Sequence, residues 1–145
     1  MVENIAVVRV VDAPSDKVWA AIRAIGGLDR WFPVISSCRV EGEGVDAIRI
    51  LSLADGGEMR DRIEEINDQA RRFRYLRIEH PFPVSFYEGT VTVRDAGNGN
   101  SEVTWAVETD VAEKAREEFI PMISAALSDG IAGLERELLQ QRLAS

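Results

Sequence analysis

Alternating apolar and polar residues divide most of the chain into short strands. Seven segments rich in β-branched or aromatic residues show this pattern, namely residues 5–11, 36–41, 47–53, 58–66, 72–79, 87–93 and 103–107. Clusters of Gly, Pro, Asn and Asp separate these segments, and the Asp-Gly-Gly sequence at 55–57 is typical of a tight hairpin turn. We therefore expect consecutive strands to pair antiparallel through short turns.

Helical spacing occurs in two other parts of the chain. Between the first and second strands, one face of a short helix is formed by Val18, Trp19, Ile22 and Ile25. Residues 28–32 indicate a second short helix, which Pro33 ends. From about residue 112 to 143 a long C-terminal helix is predicted by an apolar stripe of Phe119, Met122, Ile123, Ala126, Leu127, Ile131, Leu134 and Leu138.

This order of elements predicts an α+β fold rather than a parallel α/β sheet, because the strands follow one another and the helices lie near the ends. The long C-terminal helix is the only predicted element large enough to cover one face of the sheet. We expect residues 1–145 to form one domain, in which a curved seven-stranded antiparallel sheet surrounds this helix.

Small residues on the predicted inner surfaces have two interpretations. Ala126 and Gly130 lie beside the apolar stripe of the long helix, and Gly89 has the inward phase of its strand. We interpret them as space left for a ligand between sheet and helix. The alternative is that they allow the helix to pack closely on the sheet.

The composition narrows the possible functions. The chain of 145 residues carries a formal charge of −8, which disfavours nucleic acid and anionic lipid surfaces as partners. Cys38 is the only cysteine, so no disulfide forms within the chain. The first residues lack the features of a signal peptide, and no segment approaches the ~18 apolar residues of a membrane span. We expect a cytoplasmic protein without membrane insertion, and the pattern leaves its oligomeric state open.

No motif for a metal or a nucleotide cofactor is present. His80 is the only histidine, so HExxH spacing does not occur, and the sequence contains no GxSxG, GxGxxG or P-loop. We expect no cofactor. We interpret His80 as a loop residue at the rim of the cavity.

Asp61 is the main candidate for chemistry, because it shares its strand phase with Met59 and Ile63 and is expected to point inward. A buried carboxylate must be paired or protonated. Its candidate partners are Arg49, Arg77, Tyr75 and Tyr87. Asp61 could orient a ligand hydroxyl or carbonyl, or act as acid or base on a polyketide enol. The alternative is a salt bridge at a solvated strand edge. The candidates for catalysis are therefore Asp61, Arg49 and Tyr87.

Six segments in fixed order carry a resemblance to a known family: APSDKVW at 13–19, LDRWFP at 28–33, AIRILSLADGG at 47–57, PFPVSFYEGT at 81–90, VTW at 103–105 and DGIAGL at 129–134. The chain resembles the START-like (SRPBCC) superfamily and, within it, the polyketide cyclase/dehydrase group. The superfamily includes birch-pollen-allergen-like proteins and the plant abscisic-acid receptors. The resemblance covers nearly the whole chain and implies a helix-grip fold with an internal apolar cavity.

The resemblance also implies a position for the cavity mouth. Two loops gate the cavity in the hormone receptors, and their places are taken here by residues 52–57 and 79–84. The chain differs from the receptors in both loops, and Phe32 or a neighbour stands where they carry a cationic pocket residue. Recognition of that hormone is therefore not supported.

Three functions fit these observations. The first is binding or carriage of a small hydrophobic molecule, lipid-like or polyketide-like. The second is a cyclase or dehydratase that uses polar cavity residues, which ranks lower because no acid–base constellation stands out. The third is a protein-interaction module with a filled core and an apolar patch near Phe82, Phe86 or Trp31. The residues expected to contact a ligand are Trp31, Phe32, Ile48, Ile50, Met59, Asp61, Ile63, Tyr75, Phe82, Tyr87, Gly89, Phe119, Met122, Ala126 and Gly130.

Overall fold

The computed structural model describes residues 2–144, and a seven-stranded antiparallel sheet dominates them. The strands are β1 (Val2–Val11), β2 (Ile35–Glu41), β3 (Ile48–Leu53), β4 (Glu58–Asn67), β5 (Arg72–Glu79), β6 (Val84–Gly97) and β7 (Asn100–Val111). Their order across the sheet is β1-β7-β6-β5-β4-β3-β2. Strands β2 to β7 therefore form a meander, and β1 pairs with the last strand of the chain.

Helices connect the two edge strands and follow the sheet. Between β1 and β2 lie α1 (Ser15–Arg23) and α2 (Leu28–Trp31). After β7, a single 3-10 turn at Glu113–Ala115 leads into the long α3 (Arg116–Ala144). This helix packs against β1, β7 and α2, so the sheet and the short helices enclose its apolar face.

The predicted order of elements and the α+β helix-grip class are confirmed. The differences lie at the ends of elements. Strand β6 is longer than the predicted 87–93, because its ends continue to pair with β7 from Val84 opposite Val111 to Gly97 opposite Asn100. Residues 112–115 form the turn before α3, so the helix begins later than expected.

The orientation predicted for the inner residues of β3 is wrong. Arg49 lies opposite Asp61 of β4, and directly paired residues point to the same side of a sheet. Successive residues of a strand point to opposite sides, so Ile48 and Ile50 point away from Asp61. The error was to place Ile48 and Ile50 on the side of the sheet where this strand has Arg49 and Leu51.

Two glycines of α3 serve close packing. A Cβ atom built on Gly130 would lie 2.2 Å from the Phe32 ring, and one on Gly133 would lie 2.0 Å from the backbone oxygen of Trp31. Contacts below 3.0 Å are essentially never made by real Cβ atoms. Gly130 therefore provides room for an aromatic ring of the protein itself, which corrects its interpretation as space left for a ligand.

Candidate functional site

A cavity of about 60 Å³ lies between the sheet, α2 and α3. Its apolar lining consists of Leu28, Phe32, Val34, Ile35, Leu53, Met59, Phe82, Ile123, Ala126 and Leu127. The side chains with polar atoms in the lining are Tyr75, Arg77, Tyr87 and Trp105. The cavity is therefore mostly apolar, and Arg77 is the charged residue in its wall.

A surface groove of about 340 Å³ adjoins this cavity. The residues that line both spaces are Val34, Leu53, Phe82, Ile123 and Ala126. We call these five side chains the wall between the cavity and the groove. Leu53 belongs to the β3–β4 hairpin region and Phe82 to the β5–β6 loop, so both loops named by the resemblance contribute to this wall.

Phe82 is held in the wall by aromatic contacts. Its ring centroid lies 5.4 Å from that of Phe119 in an edge-on arrangement and 6.3 Å from that of Tyr87. It also stacks on His80 at 5.9 Å, and the Phe82 backbone N–H donates to the His80 imidazole. Burial and the nearby Arg77 lower the pKa of His80. His80 therefore supports the loop that carries Phe82.

Larger depressions of about 310, 430 and 470 Å³ lie on the outer surface around the C-terminal part of α3. Lys17, Gln141 and Arg142 are among the residues that line them. Arg49, Asp61 and Arg77 are buried charged residues beside the cavity, and none of them lines these depressions. We therefore place the candidate site at the cavity between the sheet, α2 and α3.

Two arginines bind one buried carboxylate beside the cavity. Arg49 donates to Asp61 Oδ2 from Nε at 3.0 Å and from Nη2 at 2.8 Å. Arg77 donates from Nε to Oδ1 at 2.7 Å and from Nη2 to Oδ2 at 3.2 Å. Arg49, Asp61 and Arg77 are 1%, 0% and 8% exposed, so the interpretation of Asp61 as part of a solvated strand edge does not hold.

The electrostatics of this cluster keep Asp61 ionised. Burial alone would raise the pKa of the Asp61 carboxyl, but the charges of Arg77 and Arg49 lower it below its usual value. Burial opposes the charge of Arg77 as well, yet Asp61 keeps the pKa of Arg77 above its ordinary value. Two guanidinium groups and one carboxylate leave the cluster with one net positive charge.

Arg49 fixes α2 in place. Its Nη1 donates to the Ile25 carbonyl at 3.0 Å, in the connection between α1 and α2. Ile25 has a φ of 72°, which is unfavourable for a β-branched residue, so the hydrogen bond helps to hold a strained turn. Arg49 and Asp61 therefore position α2 without lining the cavity, whereas Arg77 is one of the lining residues.

Two tyrosine rings lie against Arg77. Its guanidinium carbon lies 5.3 Å from the Tyr75 ring centroid and 4.6 Å from that of Tyr87. Trp105 Nε1 donates to the Tyr75 hydroxyl at 3.0 Å. Burial, reinforced by Tyr75, raises the pKa of Tyr87, so this hydroxyl remains protonated. The polar side of the cavity thus consists of two tyrosine hydroxyls, one indole N–H and one cation.

Gly89 makes room for this polar side. It lies opposite Tyr75 in the β5–β6 register, and a Cβ atom at this position would lie 2.1 Å from Tyr75 Cζ. The inward phase of Gly89 therefore serves the tyrosine and does not leave space for a ligand.

The structure brings some of the predicted contact residues to the cavity. The ones that line it are Phe32, Met59, Tyr75, Phe82, Tyr87 and Ala126. The ones that do not are Trp31, Ile48, Ile50, Asp61, Ile63, Gly89, Phe119, Met122 and Gly130. Met122 is 49% exposed and lines the outer groove instead, while the Trp31 indole donates to Glu137 on the far side of α2.

Sequence reasoning missed several lining residues. They are Leu28, Val34, Ile35, Leu53, Arg77, Trp105, Ile123 and Leu127. Ile123 and Leu127 belong to the apolar stripe of the long helix. Nothing in that stripe distinguishes residues that line a cavity from residues that fill the core. Arg77 lies two residues after Tyr75 and shares its strand phase, and that signal was available in the sequence.

Within residues 2–144, no group of three or more His, Cys, Asp or Glu side chains is placed to hold a metal ion. In the same range, no helix has the length and apolar character needed to cross a membrane.

Comparison with known proteins agrees with this geometry. The sequence profile of the family described as "Polyketide cyclase / dehydrase and lipid transport" matches residues 3–139. No curated protein matches the chain significantly. An uncharacterized protein from Bacillus thuringiensis has a similar structure, with 28% identity, a TM-score of 0.83, and 94% of this chain and 99% of that chain covered.

Two further structures are similar. The protein XoxI from Bacillus cereus has 27% identity and a TM-score of 0.84, with 96% of this chain and 97% of that chain covered. Norcoclaurine synthase from Thalictrum flavum has 18% identity and a TM-score of 0.79, with 96% and 87% covered, which is a similarity of fold. The family match spans nearly the whole chain, and the protein therefore belongs to the polyketide cyclase/dehydrase and lipid transport family of the START-like superfamily.

Proposed function

We propose that this protein binds and carries a small, mostly apolar molecule in the cavity between the sheet and α3. The observation that carries the proposal is an apolar interior with polar groups gathered on one side, a composition typical of small-molecule sites. The family description, which includes lipid transport, supports the same function.

Entry of a ligand requires displacement of the thin wall. The interior of about 60 Å³ is well below the roughly 300–1,000 Å³ of typical small-molecule sites. The adjoining groove of about 340 Å³ would bring the combined space into that range if Phe82 and Leu53 moved outward. Both residues belong to loops or strand ends, where such movement costs least.

Native mass spectrometry of protein purified without denaturation tests the proposal. We expect the wild-type protein to retain a low-mass apolar molecule. Ala126 lines both cavity and groove, so Ala126→Met should fill the space and abolish retention. Ala125 is the preceding residue of α3 and is exposed, so Ala125→Met is the matched control and should retain the molecule. An empty wild-type protein that no lipid or polyketide stabilises against heat would contradict the proposal.

Catalysis is the second candidate, favoured by the convergence of Tyr75, Arg77 and Tyr87 on one side of the cavity. Such donors can stabilise an oxyanion as it forms on a carbonyl substrate. Asp61 is not suited to act as the base, because its oxygens accept four hydrogen bonds from Arg49 and Arg77. Chemical conversion of a retained polyketide-like molecule, lost in Tyr87→Phe, would support this function over simple carriage.

A filled core and an exposed aromatic patch would have supported a protein-interaction module. Trp31 is buried, and Phe82 and Phe86 are only partly exposed. We therefore rank this function third.

A further inference from the structure

The charged cluster beside the cavity carries one net positive charge, and Arg77, one of its two cations, lines the cavity. Arg49 and Arg77 together carry two positive charges, and Asp61 carries the one negative charge bound to them. An uncompensated charge in a buried site is costly unless an opposite charge or hydrogen bonds offset it. The side chains that line the cavity include no acidic residue among those described.

Arg77 has hydrogen-bonding capacity that the described protein groups leave unused. A guanidinium has five N–H donors, and the two hydrogen bonds to Asp61 engage Nε and Nη2. Every fully buried polar side-chain atom in residues 2–144 has a hydrogen-bond partner. Arg77 Nη1, which makes no hydrogen bond to the described residues, is therefore in contact with open space, and Arg77 lines the cavity.

The groups around Arg77 favour an anion as its partner. The rings of Tyr75 and Tyr87 lie against the guanidinium, and the raised pKa of Tyr87 keeps its hydroxyl uncharged, so this group does not repel an anion. Asp61 holds the guanidinium in a fixed orientation from behind. The edge formed by Nη1 and Nη2 is the one that Asp61 leaves available, and it has the planar geometry that suits a carboxylate.

We propose that the ligand of this cavity is an apolar molecule with a carboxylate at its inner end, and that Arg77 binds this carboxylate. The inference rests on the proposed binding function and specifies the chemistry of the ligand. The apolar part would lie among Phe32, Met59 and Leu127 and extend towards Phe82 at the wall. Arg77 is thus a binding residue, and Asp61 and Arg49 are positioning residues that act through it.

Matched acids and amides test the proposal in calorimetric titrations at neutral pH. The probes are hexanoate, octanoate and phenylpropanoate, each compared with its primary amide, which has the same shape without the charge. We expect the acids to bind about 10- to 100-fold more tightly than the amides, as for other hydrogen bonds to charged groups. Equal affinity of acids and amides would overturn the carboxylate assignment and leave the proposed binding function intact.

Variants of Arg77 test whether this residue causes the preference for acids over amides. Arg77→Met leaves Asp61 paired with Arg49 and should bind acids and amides equally. Arg74→Met is the matched control, since Arg74 lies on the same strand, is 37% exposed at its side chain and pairs with Glu88. It should keep the preference for acids.

If Arg77→Met does not fold, Arg77→Lys keeps the charge without the planar fork and should retain part of the preference. A full preference for acids in a folded Arg77→Met would overturn the assignment to Arg77. If neither the acids nor the amides bind, and the wild-type protein is empty in native mass spectra, the proposed function is overturned as well.

Discussion

Two neighbouring regions of α3 use small residues in opposite ways. At Gly130 and Gly133 the missing side chains are replaced by the ring of Phe32 and the backbone of Trp31, so sheet-side elements press directly on the helix. One turn earlier, Ala126 borders both the cavity and the outer groove. A small residue on this helix therefore marks close packing in one place and open space in another. The difference depends on whether another part of the chain packs directly against the small residue.

The charged cluster extends the comparison from shape to electrostatics. Each side-chain nitrogen of Arg49 and each carboxylate oxygen of Asp61 has a hydrogen-bond partner, and both residues serve the fold. Arg77 belongs both to the cluster and to the cavity lining. Substitutions should therefore destabilise the protein at residues that hold the fold and change ligand binding at residues that border the site.

The largest effect is expected for Asp61→Asn. This substitution leaves two buried arginines without a counter-charge and should lower the free energy of unfolding by about 3–5 kcal/mol. Glu65→Gln is the matched control on β4, because its partner Arg72 is 41% exposed and such pairs contribute at most about 1 kcal/mol. Urea unfolding of both variants measures the difference, and equal losses would show that the cluster does not stabilise the fold.

Gly133→Ala should cause the next largest loss. The new Cβ would overlap the backbone oxygen of Trp31, which cannot rotate away, so we expect a loss of about 2–3 kcal/mol. This loss would occur although alanine favours helices by about 1 kcal/mol over glycine. A thermal unfolding midpoint at or above that of the wild-type protein would contradict the close approach of α2 to α3.

Lowering the pH should remove the contribution of Asp61 to the free energy of unfolding. The pKa of Asp61 is lowered in the folded protein, so its stabilising effect is complete above the unfolded value of about 3.9 and is lost as pH falls through the folded value. The stability difference between the wild-type protein and Asp61→Asn should therefore shrink below about pH 4. A difference that stays constant from pH 6 to about pH 2 would contradict an ionised Asp61.

The smallest change in stability is expected for Ala126→Met. The added atoms would enter existing space, so unfolding should change by less than about 1 kcal/mol, in contrast to Gly133→Ala. Ala125→Met on the exposed face should behave similarly in stability but differ in ligand retention. A loss above about 2 kcal/mol for Ala126→Met alone would mean that no usable space lies beside this residue.

The sequence predicted the fold well because periodicity and turn residues report on local structure. Alternation in the strands and the apolar stripe of α3 sufficed for the order of elements. The phase of Asp61 with Met59 and Ile63 also indicated its inward direction, and the structure has Asp61 buried.

The site was less predictable because it depends on contacts between distant segments. Whether Gly89 leaves space depends on Tyr75 across the strand pair, and whether Gly130 does so depends on Phe32, almost 100 residues earlier in the chain. The orientation of Ile48 and Ile50 was mistaken because hydrophobicity was a poor guide in a strand that buries Arg49. The role of Arg77 depends on its sharing Asp61 with Arg49 and on its place in the cavity lining.

The three tryptophan indoles offer the most direct measurement of the central claim, that ligands occupy the cavity. Trp105 Nε1 donates to Tyr75 and its side chain lines the cavity, whereas the indoles of Trp19 and Trp31 donate to Asp68 and Glu137 elsewhere. In ¹H–¹⁵N NMR spectra recorded during titration with octanoate, the Trp105 indole resonance should shift with saturation and the other two should stay in place. Shifts of Trp19 or Trp31 with an unchanged Trp105 would contradict the account.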